Sequence, residues 1–183
     1  MKKTAFLLAL VFLLKPAFTA PSPDNPGLKV DQVFRSLQEP GEGPEIEEFT
    51  ITEDEFNAWL RANTADKEYI LDLKAGFHDD NQVDFTMEMD LGRIEDGGYY
   101  PQMVATMFKG RQVLQAGGKI LVENGYFSFT VSSLSINETI ITPALIAPLI
   151  SMLLPGYDLS KPLELPYGIT DIRSSEGVLT ITR

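Results

Sequence analysis

Hydrophobic and polar positions alternate along much of the chain after residue 45, and this alternation predicts strands. Residues 83–91 alternate strictly, with apolar side chains at odd positions and acidic or hydroxyl side chains at even positions. A period of two is typical of a strand in an antiparallel sheet that has one dry and one solvated face. Residues 69–77, 112–122 and 126–136 follow the same rule with few exceptions. The pattern therefore predicts an antiparallel meander with one apolar face.

The same pattern indicates where the strands turn, bend or change phase. The sequence His-Asp-Asp-Asn at 78–81 predicts a turn, and Asn124-Gly125 predicts a two-residue hairpin. Gly117-Gly118 predicts a bend in the strand that contains it. Apolar positions change phase within the strand after the hairpin, so we expect a β-bulge at Ser132-Ser133.

Two segments before the meander have helical spacing. Residues 28–37 place four apolar side chains on one face of a short amphipathic helix. A second helix is predicted to begin after Thr52, because Thr52 with Glu55 three residues later is a capping box. Ile51 and Phe56 stand at the positions of a hydrophobic staple. We expect the Phe-Trp-Leu face of this helix to be buried.

A third helical segment follows the meander and is apolar on every side. From Pro143 to Pro155 its one polar side chain is Ser151, and Thr142 suits the N-cap. At 1.5 Å per residue the helix is about 18 Å long, shorter than a bilayer core of about 30 Å. A helix of this kind must be covered by protein or by a hydrophobic ligand. A final hairpin is predicted within residues 169–183.

This order of elements predicts an α+β fold, in which a curved antiparallel β-sheet is wrapped around, or packed against, two α-helices. Residues 1–19 combine a basic start with an apolar run of signal-peptide length, so we expect cleavage after Thr19. Residues 20–44 are rich in Pro and Gly and are expected to be a linker, and 45–183 a single domain. The expected location is the periplasm or the extracellular side of a cell envelope.

Composition and charge narrow the classes of partner. The chain has no cysteine, so an apolar core must supply its stability, and 44% of its residues are hydrophobic. The formal net charge is −11, which argues against nucleic acid and against docking on anionic headgroups, since both require clustered Lys or Arg. We expect a lipid or another hydrophobic small molecule as partner. Transient membrane contact, an envelope-protein partner and a homodimer remain open.

The sequence supplies little for catalysis, and we expect a non-enzymatic protein. Without cysteine and with His78 as the single histidine, a Cys-His pair is impossible and a Ser-His-Asp triad would depend on His78 alone. That histidine lies in the predicted turn, where Asp and Asn are favoured for backbone reasons. Abundant acids leave paired-carboxylate chemistry open, because the sequence does not give their separation in space. No cofactor and no metal site are predicted.

The order of three stretches resembles a known superfamily. These are FTITEDEFNAWL at the second helix, GGKILVENGYFSFTVSSLSIN before the third, and ALIAPLISMLL with LELPYGITDIRSSEGVLTITR at the end. In this order the chain resembles the tubular lipid-binding (TULIP-like) proteins, in particular small single-module bacterial envelope proteins. The resemblance implies a strongly curved antiparallel sheet around a long helix, with an apolar groove for lipid acyl chains. It implies no catalytic residue.

The candidate lipid contacts are the inward residues of two strands and one face of the apolar helix. They are Phe85, Met87, Met89, Phe127, Phe129, Leu145, Leu149, Met152 and Leu153. The same residues could instead form an ordinary hydrophobic core. The alternative function is therefore an envelope interaction domain with a solid core and no ligand. The all-apolar helix, the adaptable methionines and a kink expected at Pro148 favour a ligand. Each buried CH₂ of an acyl chain contributes about 0.8 kcal/mol.

Overall fold

A computed structural model describes residues 27–38, 46–90, 93, 110–145 and 161–183. The predicted α+β class with a curved antiparallel sheet is confirmed. The apolar helix begins at Pro143, as its sequence predicts, and its continuation after residue 145 lies outside the described residues. The predicted signal peptide also lies outside them.

Helix α1 (Leu28–Gln38) is the amphipathic helix that the pattern predicts. Its apolar face is buried at Val30, Val33 and Leu37. These residues lie inside the segment that the composition indicates as a linker, yet they belong to the same hydrophobic core as the strands. A helix with this burial is packed against the domain along its length.

Helix α2 (Glu53–Thr64) begins with the predicted capping box. The backbone N–H of Glu55 donates to Thr52 Oγ1 at 3.3 Å, and the N–H of Thr52 donates to Glu55 Oε2 at 2.8 Å. Partial burial acts to raise the pKa of Glu55, but the Thr52 N–H and the Lys29 ammonium, 2.9 Å away, outweigh it and lower that pKa. Ile51 and Phe56, at the staple positions, are both buried.

In the described part of the chain, all strand pairings are antiparallel and the strands form two sheets. The strands are β1 (Glu48–Thr52), β2 (Ile70–Phe77), β3 (Gln82–Asp90), β4 (Arg111–Glu123), β5 (Tyr126–Ile136), β6 (Thr139–Ile140), β7 (Leu163–Glu164), β8 (Asp171–Ser175) and β9 (Val178–Thr182). The larger sheet has the order β2-β3-β4-β5-β6, with β7 also paired to β5. The smaller sheet has the order β1-β9-β8. The final hairpin, β8 and β9, thus pairs through β9 with β1, the strand before α2. This pairing joins distant parts of the chain, and the alternation of apolar and polar residues does not specify it.

The predicted turn, hairpin and bulge are confirmed. Residues 79–81 form a short 3₁₀ turn between β2 and β3. Asn124 and Gly125 both have positive φ, 54° and 77°, as a type I′ hairpin requires. Gly117 pairs with Ser133 and Gly118 with Val131, so Ser132 is the extra residue of the bulge. The bulge brings Leu134 and Ile136 back onto the face that carries Phe127 and Phe129.

Aromatic packing joins the helices to the larger sheet. Trp59 lies 5.8 Å from Phe34 of α1 and 5.9 Å from Phe56, measured between ring centroids. Phe56 in turn lies 5.4 Å from Phe77 of β2. The indole N–H of Trp59 donates to Asp31 Oδ1 at 2.8 Å, which satisfies its one polar atom. The helices therefore cover the end of the sheet near the β2–β3 turn.

Candidate functional site

The candidate site is the inner face of the larger sheet, the face that carries Phe85 and Phe129. Strand register arranges its side chains in two short rows on the β4–β5 hairpin, Ile120-Phe129 and Val122-Phe127, and four longer rows that cross the sheet. From the β2–β3 turn outward, the longer rows are Phe77-Val83-Gly118-Val131, Ala75-Phe85-Ala116-Leu134, Leu73-Met87-Leu114-Ile136 and Ile70-Met89-Gln112. We call the last two the distal rows. Because all four strands contribute to this face, one continuous apolar surface results.

Burial decreases along the inner face. In the first row Phe77 and Val83 are each 1% exposed, and Val131 on β5 is the one partly buried side chain. In the distal rows Met87, Met89 and Leu114 are only partly buried, although they point to the same side. Among the apolar residues of the distal rows, Leu73 is the one that is fully buried, because it lies on β2, against which α2 packs. The distal rows are thus an apolar surface that the described core does not close completely.

The predicted strand residues divide between these two environments. Phe85, Phe127 and Phe129 are buried in the main core. The Phe85 and Phe129 rings meet edge to face, with centroids 6.4 Å apart and planes at 74°. Met87 packs partly against this core, and Met89 lies one row further out. The structure therefore brings the two methionines, and not the three phenylalanines, to the accessible part of the face.

The predicted helix residues contribute less to the described site. Leu145 lies in the first turn of the apolar helix and is 57% exposed. Its backbone N–H donates to the carbonyl of Thr142 at 2.8 Å, which fixes the start of the helix. Leu149, Met152 and Leu153 lie outside the described residues.

Sequence reasoning missed a polar pair at the end of the distal rows. Gln112 stands directly opposite Met89 on the inner face and is 9% exposed. Its Oε1 accepts a hydrogen bond from Asn137 Nδ2 at 2.7 Å. Asn137 is held in turn by Val113, whose N–H donates to Asn137 Oδ1 at 2.8 Å. The one indication in the sequence was Gln112 itself, a polar residue at a position where the alternation of β4 predicts an apolar one.

Charged side chains occupy the opposite face. Asp84, Glu88 and Lys74 alternate with the apolar residues of β2 and β3 and point outward. Across this outer face Arg111 lies 3.5 Å from Glu88. Among the described strand residues, none of the four inner rows contains an acidic or basic side chain. The described part of the inner face therefore offers apolar contact without a countercharge.

His78 forms a separate polar cluster at the β2–β3 turn. Its Nε2 pairs with Asp84, and this hydrogen bond is the main reason that the pKa of His78 is raised above 6.5. Glu176 and Glu53 add to the rise. Ser174 Oγ donates to the backbone carbonyls of His78 and Gln82, both at 3.0 Å, instead of contacting the imidazole ring. The contacts of Ser174 thus hold the turn against β8 and form no nucleophile–base pair.

Across the described ranges, no group of three or more His, Asp or Glu side chains is placed to hold a metal ion. Of the helices in the described part of the chain, none combines the length and hydropathy of a membrane span.

No protein-family model, no curated protein and no solved structure matches this chain.

Proposed function

We propose that this protein is a non-enzymatic exported protein that binds a lipid or another amphiphile in an apolar groove between its sheet and helices, for lipid transport or envelope maintenance. The observation that supports this function is the decrease in burial along one continuous apolar face. Phe85 and Phe129 form a closed base, whereas Met87 and Met89 remain partly open.

The chemistry of the distal rows suits an acyl chain. Methionine is unbranched and polarizable, so Met87 and Met89 adapt to chains of different shape. Leu114 and Ile136 extend the same surface across β4 and β5. Each CH₂ removed from water contributes about 0.8 kcal/mol, so covering part of a chain already gives useful affinity. Binding of this kind needs dry shape complementarity and no reacting group.

Native mass spectrometry of the protein, purified without detergent and then extracted with solvent, tests the proposal. We expect a discrete added mass that extracts as lipid. A Met89→Glu variant should lose this mass, because a carboxylate on the inner face must be desolvated against the ligand. Gln115→Glu, on the exposed outer face of β4, is the matched control and should retain it.

Retention of lipid by folded Met89→Glu would place the ligand elsewhere on the protein. A clean mass for the wild-type protein, with no uptake when envelope lipids are offered, would refute lipid binding. Circular dichroism of each variant shows whether it is folded, so that loss of ligand is not confused with loss of structure.

The second candidate is a protein-interaction domain with a solid core, and one specific feature favours it. The reciprocal backbone bonds between Glu47 and Arg183 set the pairing of β1 with β9. By alternation, the N–H and C=O groups of Glu48 and Thr50 point away from β9, along an exposed edge. Such an edge is a template for strand addition by a partner. A clean mass together with a partner that protects this edge from hydrogen exchange would support this function.

A further inference from the structure

We propose that two copies of this chain pair through the exposed edge of β1, in an antiparallel register centred on Phe49. The strands β8-β9-β1 of one copy then continue into β1-β9-β8 of the other, and a twofold axis passes through the centre of the joined sheet. The dimer forms through the smaller sheet and does not depend on lipid binding by the larger one. The occupant of the β1 edge is thus a second copy of the chain.

The other sheet edges in the described ranges are covered or very short. On β2, the carboxamide of Asn57 binds both the N–H and the C=O of Ala75. On β8, Asn81 Oδ1 accepts a hydrogen bond from the N–H of Ser174 at 3.0 Å. On its other side the larger sheet ends in β6 and β7, which have 2 residues each. Covered and short edges of this kind are poor templates for a further strand.

The edge of β1 differs, because it is exposed over two consecutive outward positions. In the described part of the chain β1 pairs with β9 alone. The backbone groups of Phe49 point to β9, so by alternation those of Glu48 and Thr50 point away from it. Both residues are exposed. The accessible edge ends at Thr52, whose N–H donates to Glu55 Oε2 in the capping box.

Charge and hydrogen bonding favour one register between two such edges. In the register centred on Phe49, Glu48 lies opposite Thr50 of the second copy, and the two residues exchange N–H and C=O bonds. A register centred on Glu48 would place two glutamates directly opposite each other, which is destabilising. A register centred on Thr50 would place Glu48 opposite Thr52, whose N–H is used by the capping box. The edge is therefore complementary to itself when it is centred on Phe49.

The central residue of this register adds aromatic contact. Phe49 is partly buried against the core, and Cζ of Arg183 lies 5.9 Å from its ring centroid. Across the twofold axis Phe49 faces Phe49 of the second copy as a non-hydrogen-bonded pair, the arrangement in which opposite side chains lie closest. Cross-strand aromatic pairs stabilise antiparallel strands. The part of Phe49 that its own chain leaves exposed is thus covered in the dimer.

Analytical ultracentrifugation of the protein, purified without detergent, measures the association from about 1 µM to about 1 mM. We expect a reversible monomer–dimer equilibrium within this range. Thr50→Pro should weaken dimerisation at least about tenfold, because proline removes an outward N–H and leaves the ladder with β9 intact. Thr50→Val keeps that N–H, so it is the matched control and should dimerise as tightly as the wild-type protein.

Disulfide cross-linking tests the register, and the chain has no cysteine of its own that could interfere. In the proposed register, Glu48 of one copy and Thr50 of the other have Cα atoms about 5.5 Å apart, a separation that a disulfide can span. A mixture of Glu48→Cys and Thr50→Cys chains should therefore form the mixed disulfide faster than either variant forms a disulfide with itself. Mass spectrometry under non-reducing conditions identifies each product. Both positions are exposed, so we expect both variants to fold.

Three results would overturn the proposed dimer. A protein that stays monomeric up to about 1 mM does not pair with itself, and a strand of a different protein then becomes the candidate for the edge. If folded Thr50→Pro dimerises as tightly as Thr50→Val, the copies meet through another surface. Equal rates for the mixture and for each single variant would refute the register. If Thr50→Pro does not fold, the cross-linking comparison decides by itself. Lipid binding is measured separately by native mass spectrometry, and these results leave it unaffected.

Discussion

The side chain of Asn57 on α2 pairs with the backbone of Ala75 on β2 as a neighbouring strand would. Asn57 Nδ2 donates to the Ala75 carbonyl at 2.9 Å, and the Ala75 N–H donates to Asn57 Oδ1 at 2.7 Å. Because β2 is the edge of the larger sheet, these two groups would otherwise lack partners in a buried setting. One carboxamide thus attaches the helix to the sheet and closes part of an edge.

Replacing Asn57 with alanine should therefore be strongly destabilising. It leaves a buried donor and a buried acceptor of Ala75 unpaired, and we expect the free energy of unfolding to fall by about 2 kcal/mol or more. Chemical denaturation monitored by Trp59 fluorescence measures the change. Asn63→Ala, which removes a single bond to the Trp59 carbonyl at a partly buried position, is the control and should cost less. Equal losses in the two variants would contradict this account of Asn57.

The two adjacent glycines of β4 should differ in their response to alanine. A Cβ at Gly118 would lie 2.5 Å from the carbonyl oxygen of Thr130 and 2.6 Å from Cζ of Phe129, so backbone and a buried ring would both have to move. At Gly117 the nearest atom is Ser133 Oγ, at 2.7 Å, which can rotate into solvent. We expect Gly118→Ala to cost about 1–3 kcal/mol and Gly117→Ala clearly less, as measured by thermal or chemical unfolding. A larger cost at Gly117 would mean that the bend does not place Gly118 against Phe129.

The pH dependence of stability should report the His78–Asp84 pair. The pKa of folded His78 is raised above 6.5, chiefly by the hydrogen bond with Asp84. A raised folded pKa stabilises the fold when the imidazole is protonated in both states, so the contribution is fully present below about pH 6.5. This stabilisation is lost as the pH rises through the pKa of folded His78, because the neutral imidazole no longer offsets the negative charges of Asp84, Glu176 and Glu53.

A comparison of the wild-type protein with His78→Gln tests this dependence. The difference in free energy of unfolding should be largest near about pH 6 and should shrink towards about pH 8. The single imidazole can also be titrated by NMR, and Asp84→Asn should return its pKa towards the ordinary value. If the difference in free energy of unfolding grew with pH instead, protonated His78 would not be the form that stabilises the fold.

Arg183 should control how firmly α1 is attached to the domain. Its Nη1 donates to the carbonyls of Ser36 and Leu37, at 2.8 and 3.2 Å, at the last turn of α1. Its guanidinium also pairs with Glu47. A cation at a helix C-terminus satisfies unpaired carbonyls and the helix dipole. We expect Arg183→Met to reduce stability by about 2 kcal/mol, because bonds to a charged group are lost.

Hydrogen–deuterium exchange locates the effect of that substitution. Backbone amides of residues 28–38 should exchange faster in Arg183→Met than in the wild-type protein, whereas β4 and β5 should be little changed. Arg173→Met, at an exposed position on β8, serves as the control. Faster exchange spread evenly over the whole protein would indicate global destabilisation and not release of α1.

Local features of this protein were determined by the sequence alone. The capping box at Thr52, the Asn124-Gly125 hairpin and the bulge at Ser132 all depend on residues within a few positions of one another. So does the alternation within each strand that gives Phe85 and Phe129 an inward phase. Backbone sterics, capping and a period of two act over short distances, so the pattern is enough to predict them.

The candidate site was predicted in part. Strand phase correctly places Phe85, Phe127 and Phe129 inward, but phase does not distinguish a core residue from a ligand contact. That difference depends on what α2 and the neighbouring strands cover. Gln112 was missed because a polar residue at an apolar phase has meaning only when its partner, Asn137, is known to lie beside it.

Only the tertiary structure decided how distant segments combine. The pairing of β1 with β9 and the bond from Asn57 to Ala75 join residues that the sequence pattern treats as independent. The decrease in burial along the inner face is a further result of this kind. Side-chain periodicity specifies which face of an element is apolar, whereas the partner of that face is chosen by packing and hydrogen-bond satisfaction over the whole chain. For that reason the sequence determined the elements of this protein, and its three-dimensional packing decided which of them form the core and which form the accessible surface.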